Sequence, residues 1–73
     1  MNNRTIYYVC WASEEEKKGG VEHKSKEYNN LLDAKFGADL RKLYGGTVRV
    51  VERKEKHSFG KWELVEENDV SMG

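Results

Sequence analysis

Proline is absent from the 73 residues and cysteine occurs once. A lone Cys10 excludes a disulfide within the chain, and a free thiol in an apolar run fits a reducing compartment. His23, His57 and Cys10 stand far apart, with no C-x-x-C or H-x-x-x-H spacing, so neither a metal site nor a cofactor is expected. No apolar run approaches the ~20 residues of a membrane-spanning helix, and the N-terminus has no secretory pattern. The expected location is the cytoplasm. An excess of one charge is missing too: 13 basic residues balance 13 acidic ones. That balance argues against a strongly basic nucleic-acid binder and against an acidic DNA mimic.

Catalytic patterns are equally sparse. The two Gly-Gly pairs lack the surroundings of a phosphate-binding loop, and Glu14-Glu15-Glu16 reads as an acidic loop rather than an acid/base pair. Cys10 lies inside an apolar strand with no base placed to activate it, so it reads as a small core residue. The chain is not expected to be an enzyme.

The sequence does hold enough for one small folded domain, 1–73. Hydrophobic residues are 37%, with two Trp, four Tyr and two Phe, which argues against disorder. A chain this short buries only about 60% of the surface its unfolded form exposes, so its core is thin. Without disulfide or metal, dimerisation is the remaining support for such a fold.

Thr5 to Ala12 is rich in aromatic and β-branched residues and reads as a strand. Both its faces are apolar: Ile6, Tyr8, Cys10 and Ala12 on one, Tyr7, Val9 and Trp11 on the other. Residues 13–20 read as a hairpin loop ending in two glycines, with a short helix over 13–18 as the rival reading. Val21 to Tyr28 is then a polar edge strand. Asn29 or Asn30 caps a helix with an apolar stripe at Leu32, Phe36, Leu40 and Leu43, which Gly45-Gly46 stops. Gly37 within it points to a close approach between helix and sheet. Thr47 to Arg53 is a third strand, Lys54 to Gly60 a charged turn, and Lys61 to Val65 a fourth strand. Residues 66–73 are an acidic tail expected to fray. The expected fold is α+β, a four-stranded antiparallel sheet in the order β-β-α-β-β with one helix on one face.

One helix covers one face of a sheet. With the helix stripe on Ile6, Tyr8, Cys10, Val48, Val50, Trp62 and Leu64, the open face displays Tyr7, Val9, Trp11, Arg49, Val51 and Arg53. Exposed apolar surface marks interaction sites, and Tyr, Trp and Arg are frequent in binding hot spots. These six are the expected partner-binding residues, with a protein as the expected partner. The opposite assignment of the first strand is also open, because both its sets are apolar. A second reading draws on charge: residues 35–61 carry eight basic and three acidic side chains, and residues 62–73 four acidic and no basic ones. The basic segment 49–61 could follow a phosphate backbone, which makes a nucleic-acid-binding module the alternative. Against it stands pairing of the same Arg and Lys with the acidic tail.

The order of features has a likeness of its own. A Tyr7-Tyr8-Val9 strand leads through a polar segment to a helix that ends Leu40-Arg41-Lys42-Leu43-Tyr44-Gly45-Gly46. Thr47-Val48-Arg49-Val50-Val51-Glu52-Arg53 and a strand bearing Trp62 follow. In that pattern the chain resembles the small accessory proteins that phages and other mobile elements encode. The resemblance implies a protein that binds and modulates a host protein, inhibitors of antiviral defence among them, and it carries over no functional residue.

Overall fold

The computed structural model describes residues 2–71. Ten residues free of Gly and Pro form β1, Asn3–Ala12. A one-turn helix α1, Glu14–Lys18, follows in place of the expected hairpin loop. Ser13 and Glu16 close a capping box around its start: the Ser13 N–H donates to Glu16 Oε1 at 3.0 Å, and the Glu16 N–H to Ser13 Oγ at 3.1 Å. Two orphan backbone donors are satisfied in this way. The expected edge strand 21–28 shortens to β2, His23–Lys24. Beyond it the chain still touches β1 through Ser25 N–H on the Val9 carbonyl, 2.8 Å, and an isolated Tyr7–Tyr28 bridge.

Helix α2 spans Leu31–Lys42 and starts as expected, with Asn30 Oδ1 accepting the Asp33 N–H at 2.8 Å. Gly45 and Gly46 follow it at φ +80° and +85°. Two long strands complete the fold, β3, Thr47–Ser58, and β4, Lys61–Asp69. The expected turn over 54–60 is therefore strand down to Ser58, leaving Phe59-Gly60 as a two-residue loop. Both loop residues have positive φ, 52° and 80°, as a type I′ hairpin requires. Residues 66–69, expected in the frayed tail, continue β4 in register with β3; residues 72–73 of that tail lie outside the described residues.

The four strands form one antiparallel sheet in the order β2-β1-β3-β4 with α2 packed against it, a small α+β domain. β1 is central, which suits a strand apolar on both sides. Its register pairs Tyr8 with Val51, Val9 with Val50 and Cys10 with Arg49. Tyr7, Val9, Trp11, Val48 and Val50 thus share one face, and α2 lies on it. The core there is Val9, Ala34, Ala38 and Val50, with Tyr28, Leu31 and Val70 around it.

That packing reverses two expectations. Tyr7, Val9 and Trp11 lie under the helix, and Ile6, Tyr8 and Cys10 face the other way. Trp62 and Leu64 are not under the helix either. Val65 is an extra residue in β4, a bulge between the Lys54–Glu66 and Glu55–Leu64 pairs. It sets Trp62 and Leu64 on the face of Val51, Arg53 and Glu55. The physical cause of the first reversal is in the helix, whose small residues seat closer to the sheet than its large ones.

Candidate functional site: the outer face of helix α2

Ala34 and Ala38 are buried to 0% and 4% exposure against Val9 and Val50. Gly37 stands beside them. A Cβ there would meet the Tyr28 hydroxyl at 2.6 Å and Val9 Cγ2 at 3.6 Å, so the missing side chain makes room for the Tyr28 ring. With small residues on the sheet side, the expected core stripe turns outward. Leu32 is 78% exposed, Phe36 67%, Leu40 51% and Leu43 82%, and Tyr44 beyond the helix end reaches 85%. Spacings of four, four and three residues hold the first four on one side of the cylinder. Small domains rarely leave large apolar side chains contiguous and wet, which makes this face the candidate site.

Charge borders the patch. Asp33 and Asp39 are its acidic flanks, with Lys42 Nζ 3.7 Å from Asp39 Oδ1. Arg41 turns back to lie over the Trp11 ring, 3.8 Å from its centre. Trp11 in turn stacks on His23 at 5.7 Å, and His23 Nε2 meets Glu16 Oε2. This chain of contacts ties α1 and β2 to the end of α2. The Ser13 backbone N–H and then His23 hold the Glu16 carboxyl below its ordinary range.

The other face of the sheet is built differently. Ile6, Cys10 and Val51 are buried there at 3–4% exposure although no helix covers them. Long paired side chains roof them. Arg49 grips Glu22 through two bonds of 2.9 and 2.8 Å. Lys24 lies 4.4 Å above the Tyr8 ring, and Arg4 lies 4.3 Å above Trp62, whose edge meets His57 at 5.2 Å. Glu55, 5% exposed, takes Arg4 at 2.7 Å and Arg53 Nε at 2.9 Å. The Arg53 N–H points off the oxygen, so that contact is a close ion pair rather than a hydrogen bond.

The Arg49 bond, ahead of any other influence, lowers the Glu22 pKa. A lowered carboxylate stabilises the fold above its unfolded pKa, and the gain is lost as pH falls through the folded one. Both side chains are more than a third exposed, so the pair contributes at most about 1 kcal/mol.

The six residues expected to bind a partner therefore divide. Arg49, Val51 and Arg53 lie on the face away from α2; Tyr7, Val9 and Trp11 lie beneath it, and Val9 is 1% exposed. They form no common surface. The basic segment is also largely matched: Lys54 reaches Glu66 at 3.3 Å and Glu52 at 4.0 Å, and Arg53 and Arg49 are paired as above. Residues 32, 36, 40 and 43, assigned to the core by their period, are the ones left in water. The signal that would have found them is the second periodic set Leu31, Ala34 and Ala38, together with Gly37 beside it.

Cys10 sits under the roof of the second face beside a recess of about 250 Å³ lined by Tyr8, Lys24, Arg49 and Glu67. That volume is below the roughly 300 Å³ at which small-molecule pockets begin. Burial pushes the Cys10 thiol pKa up, which lowers its thiolate fraction at neutral pH. An aromatic disulfide reagent at pH 7 should therefore leave Cys10 unmodified over an hour in buffer and modify it within minutes in urea. Equal rates in both would mean that the roof does not close.

Among the described residues, no three His, Cys, Asp or Glu side chains are grouped to hold a metal ion, and no helix is long and apolar enough to cross a membrane. No protein family, curated protein or solved structure matches the chain.

Proposed function

We propose that the chain is a non-catalytic protein-binding module that docks through the outer face of α2. The observation that carries this reading is the row Leu32, Phe36, Leu40 and Leu43, all more than half exposed on a helix whose opposite side already fills the core. Apolar anchors at i, i+4 and i+8 are the form in which a helix enters a groove or meets another helix. Two large aromatics in the patch, Phe36 and Tyr44, add contact area at small entropic cost. The pairing of Arg49, Arg53 and Lys54 with acidic neighbours supports this reading over the phosphate-binding one, since matched cations release few counterions. The resemblance to phage accessory proteins makes host proteins a class to test.

Phe36→Glu places a charge in the centre of the patch without touching the core. In a capture experiment with nuclease-treated lysate or purified candidate partners, it should lower binding by on the order of a hundredfold, about 2.7 kcal/mol. Trp62→Ala, on the other face, should leave binding unchanged. A Phe36→Glu variant that binds like wild type would remove α2 from the site, and binding abolished by nuclease would favour the nucleic-acid reading.

A further inference from the structure

We infer that residues 13–24 form a flap that swings away from the sheet while the rest of the domain stays folded, with the Glu22–Arg49 pair as its latch. No residue of this segment is buried. Its one apolar side chain, Val21, is 48% exposed, and none of its residues joins the core of Val9, Ala34, Ala38 and Val50. A segment that buries no apolar side chain lies at the low end of local stability, so it opens before the core does. Within itself the segment is coherent. The Val21 N–H donates to the Glu16 carbonyl at 2.8 Å and His23 meets the Glu16 carboxylate, so α1 and β2 move together. Its two ends are firm. Ala12 is buried at the end of the central strand, and beyond Lys24 the Ser25 N–H holds the Val9 carbonyl while Tyr28 exchanges backbone bonds with Tyr7.

The strand order explains what the latch spans. Glu22 immediately precedes β2 and Arg49 lies in β3, with β1 between them. The two bonds of 2.9 and 2.8 Å therefore cross over β1, and they do so at Cys10, which stands opposite Lys24 on one side and Arg49 on the other. Lys24 reaches over the same strand to the Tyr8 ring. Besides these contacts the flap meets the sheet through two strand pairs, Cys10–Lys24 and Trp11–His23, and through the stack of His23 on Trp11. Long charged side chains close this side where the helix closes the other. When the flap opens it uncovers Cys10 and Val51, both below 5% exposure in the closed form, and so presents a thiol on an apolar floor. The reactivity of Cys10 in the folded protein then reports the opening.

Slow modification of the full chain by an uncharged maleimide, in buffer without denaturant and followed by intact mass, tests this. Urea titration of each variant gives its global stability alongside. Leu31→Ala removes a side chain that packs on the core at the start of α2, so it lowers the stability of the whole domain without touching the flap. Its Cys10 should react at the wild-type rate, because the flap opens without the core. A rate that rises in step with the lost stability would mean that only global unfolding exposes the thiol, and the inference would be overturned. Glu22→Arg sets two guanidinium groups against each other at the latch and should speed modification on the order of fivefold or more. Adding Arg49→Glu restores an opposite pair with the same net charge around Cys10, and the rate should fall back toward that of wild type. A double variant as reactive as Glu22→Arg alone, or a single variant as slow as wild type, would remove the pair as the latch.

Discussion

Ala34→Glu is expected to abolish cooperative unfolding of the domain at 25 °C. Ala34 is 0% exposed between α2 and the Val9–Val50 pair. A glutamate there must bury its charge without a partner or lever the helix away from the sheet. An unpaired buried charge costs several kcal/mol, and the whole stability of so small a domain is about 5 kcal/mol. Phe36→Glu, two positions along the same helix, is expected to change stability by no more than about 0.5 kcal/mol, because the phenyl ring packs on little. Urea titration followed by far-UV circular dichroism compares the two. If Phe36→Glu were the unfolding variant and Ala34→Glu the silent one, the helix would be seated on its large residues and the proposed binding row would be core.

Gly46→Ala is expected to lose about 2–4 kcal/mol, through two causes that a neighbouring glycine separates. At φ +85° an alanine is strained by about 1 kcal/mol, and its Cβ would clash with the Ala12 carbonyl oxygen and lie 3.2 Å from the carbonyl carbon. That carbonyl belongs to the backbone at the end of the central strand and cannot rotate away. Gly45 has a similar φ of +80° with nothing near its added Cβ, so Gly45→Ala should cost the conformational part alone, about 1 kcal/mol. For a domain of this size 1 kcal/mol is about 4–8 °C, so the two melting temperatures should differ by at least that. Equal losses would mean that the α2–β3 connection moves freely against β1. The same contact fixes where α2 ends relative to the sheet, and so where Leu43 and Tyr44 project.

Local signals in the chain differ in legibility for physical reasons. Ser13-Glu14-Glu15-Glu16 is the S-x-x-E pattern of a capping box, yet the two glycines that follow favour a hairpin; five residues of helix fit before them. β3 and β4 run past Arg53 and Val65 because their charges alternate across the pair, Lys54 against Glu66 and Lys56 against Glu63. Read singly, each segment looks like a solvated loop. Cross-strand attraction between them exists only once the hairpin closes, and its turn is Phe59 at φ 52°, where asparagine or glycine is the common choice.

The face proposed for binding is the part least legible. Periodicity ties residues to a shared direction on the helix, and it places Leu32, Phe36, Leu40 and Leu43 together correctly. It contains no information about which direction meets the sheet. β1 has the same ambiguity, since both its faces are apolar, and a wrong choice for one element carries over to the other.

By itself, then, the amino-acid order determined what is local: a Gly-free β-branched run for the central strand, a helix begun at Asn29-Asn30 and over before Gly45-Gly46, and from these an antiparallel α+β domain. Caps, turns and periodicity act within a few residues, so they can be read within a few residues. Tertiary structure alone decided which sides face inward. That choice depends on how near the helix axis can approach the pairing of Val9 with Val50, and the small side chains of Ala34, Gly37 and Ala38 permit the nearest approach. The larger side chains are left outside by the same closeness, and the surface proposed for binding is the consequence.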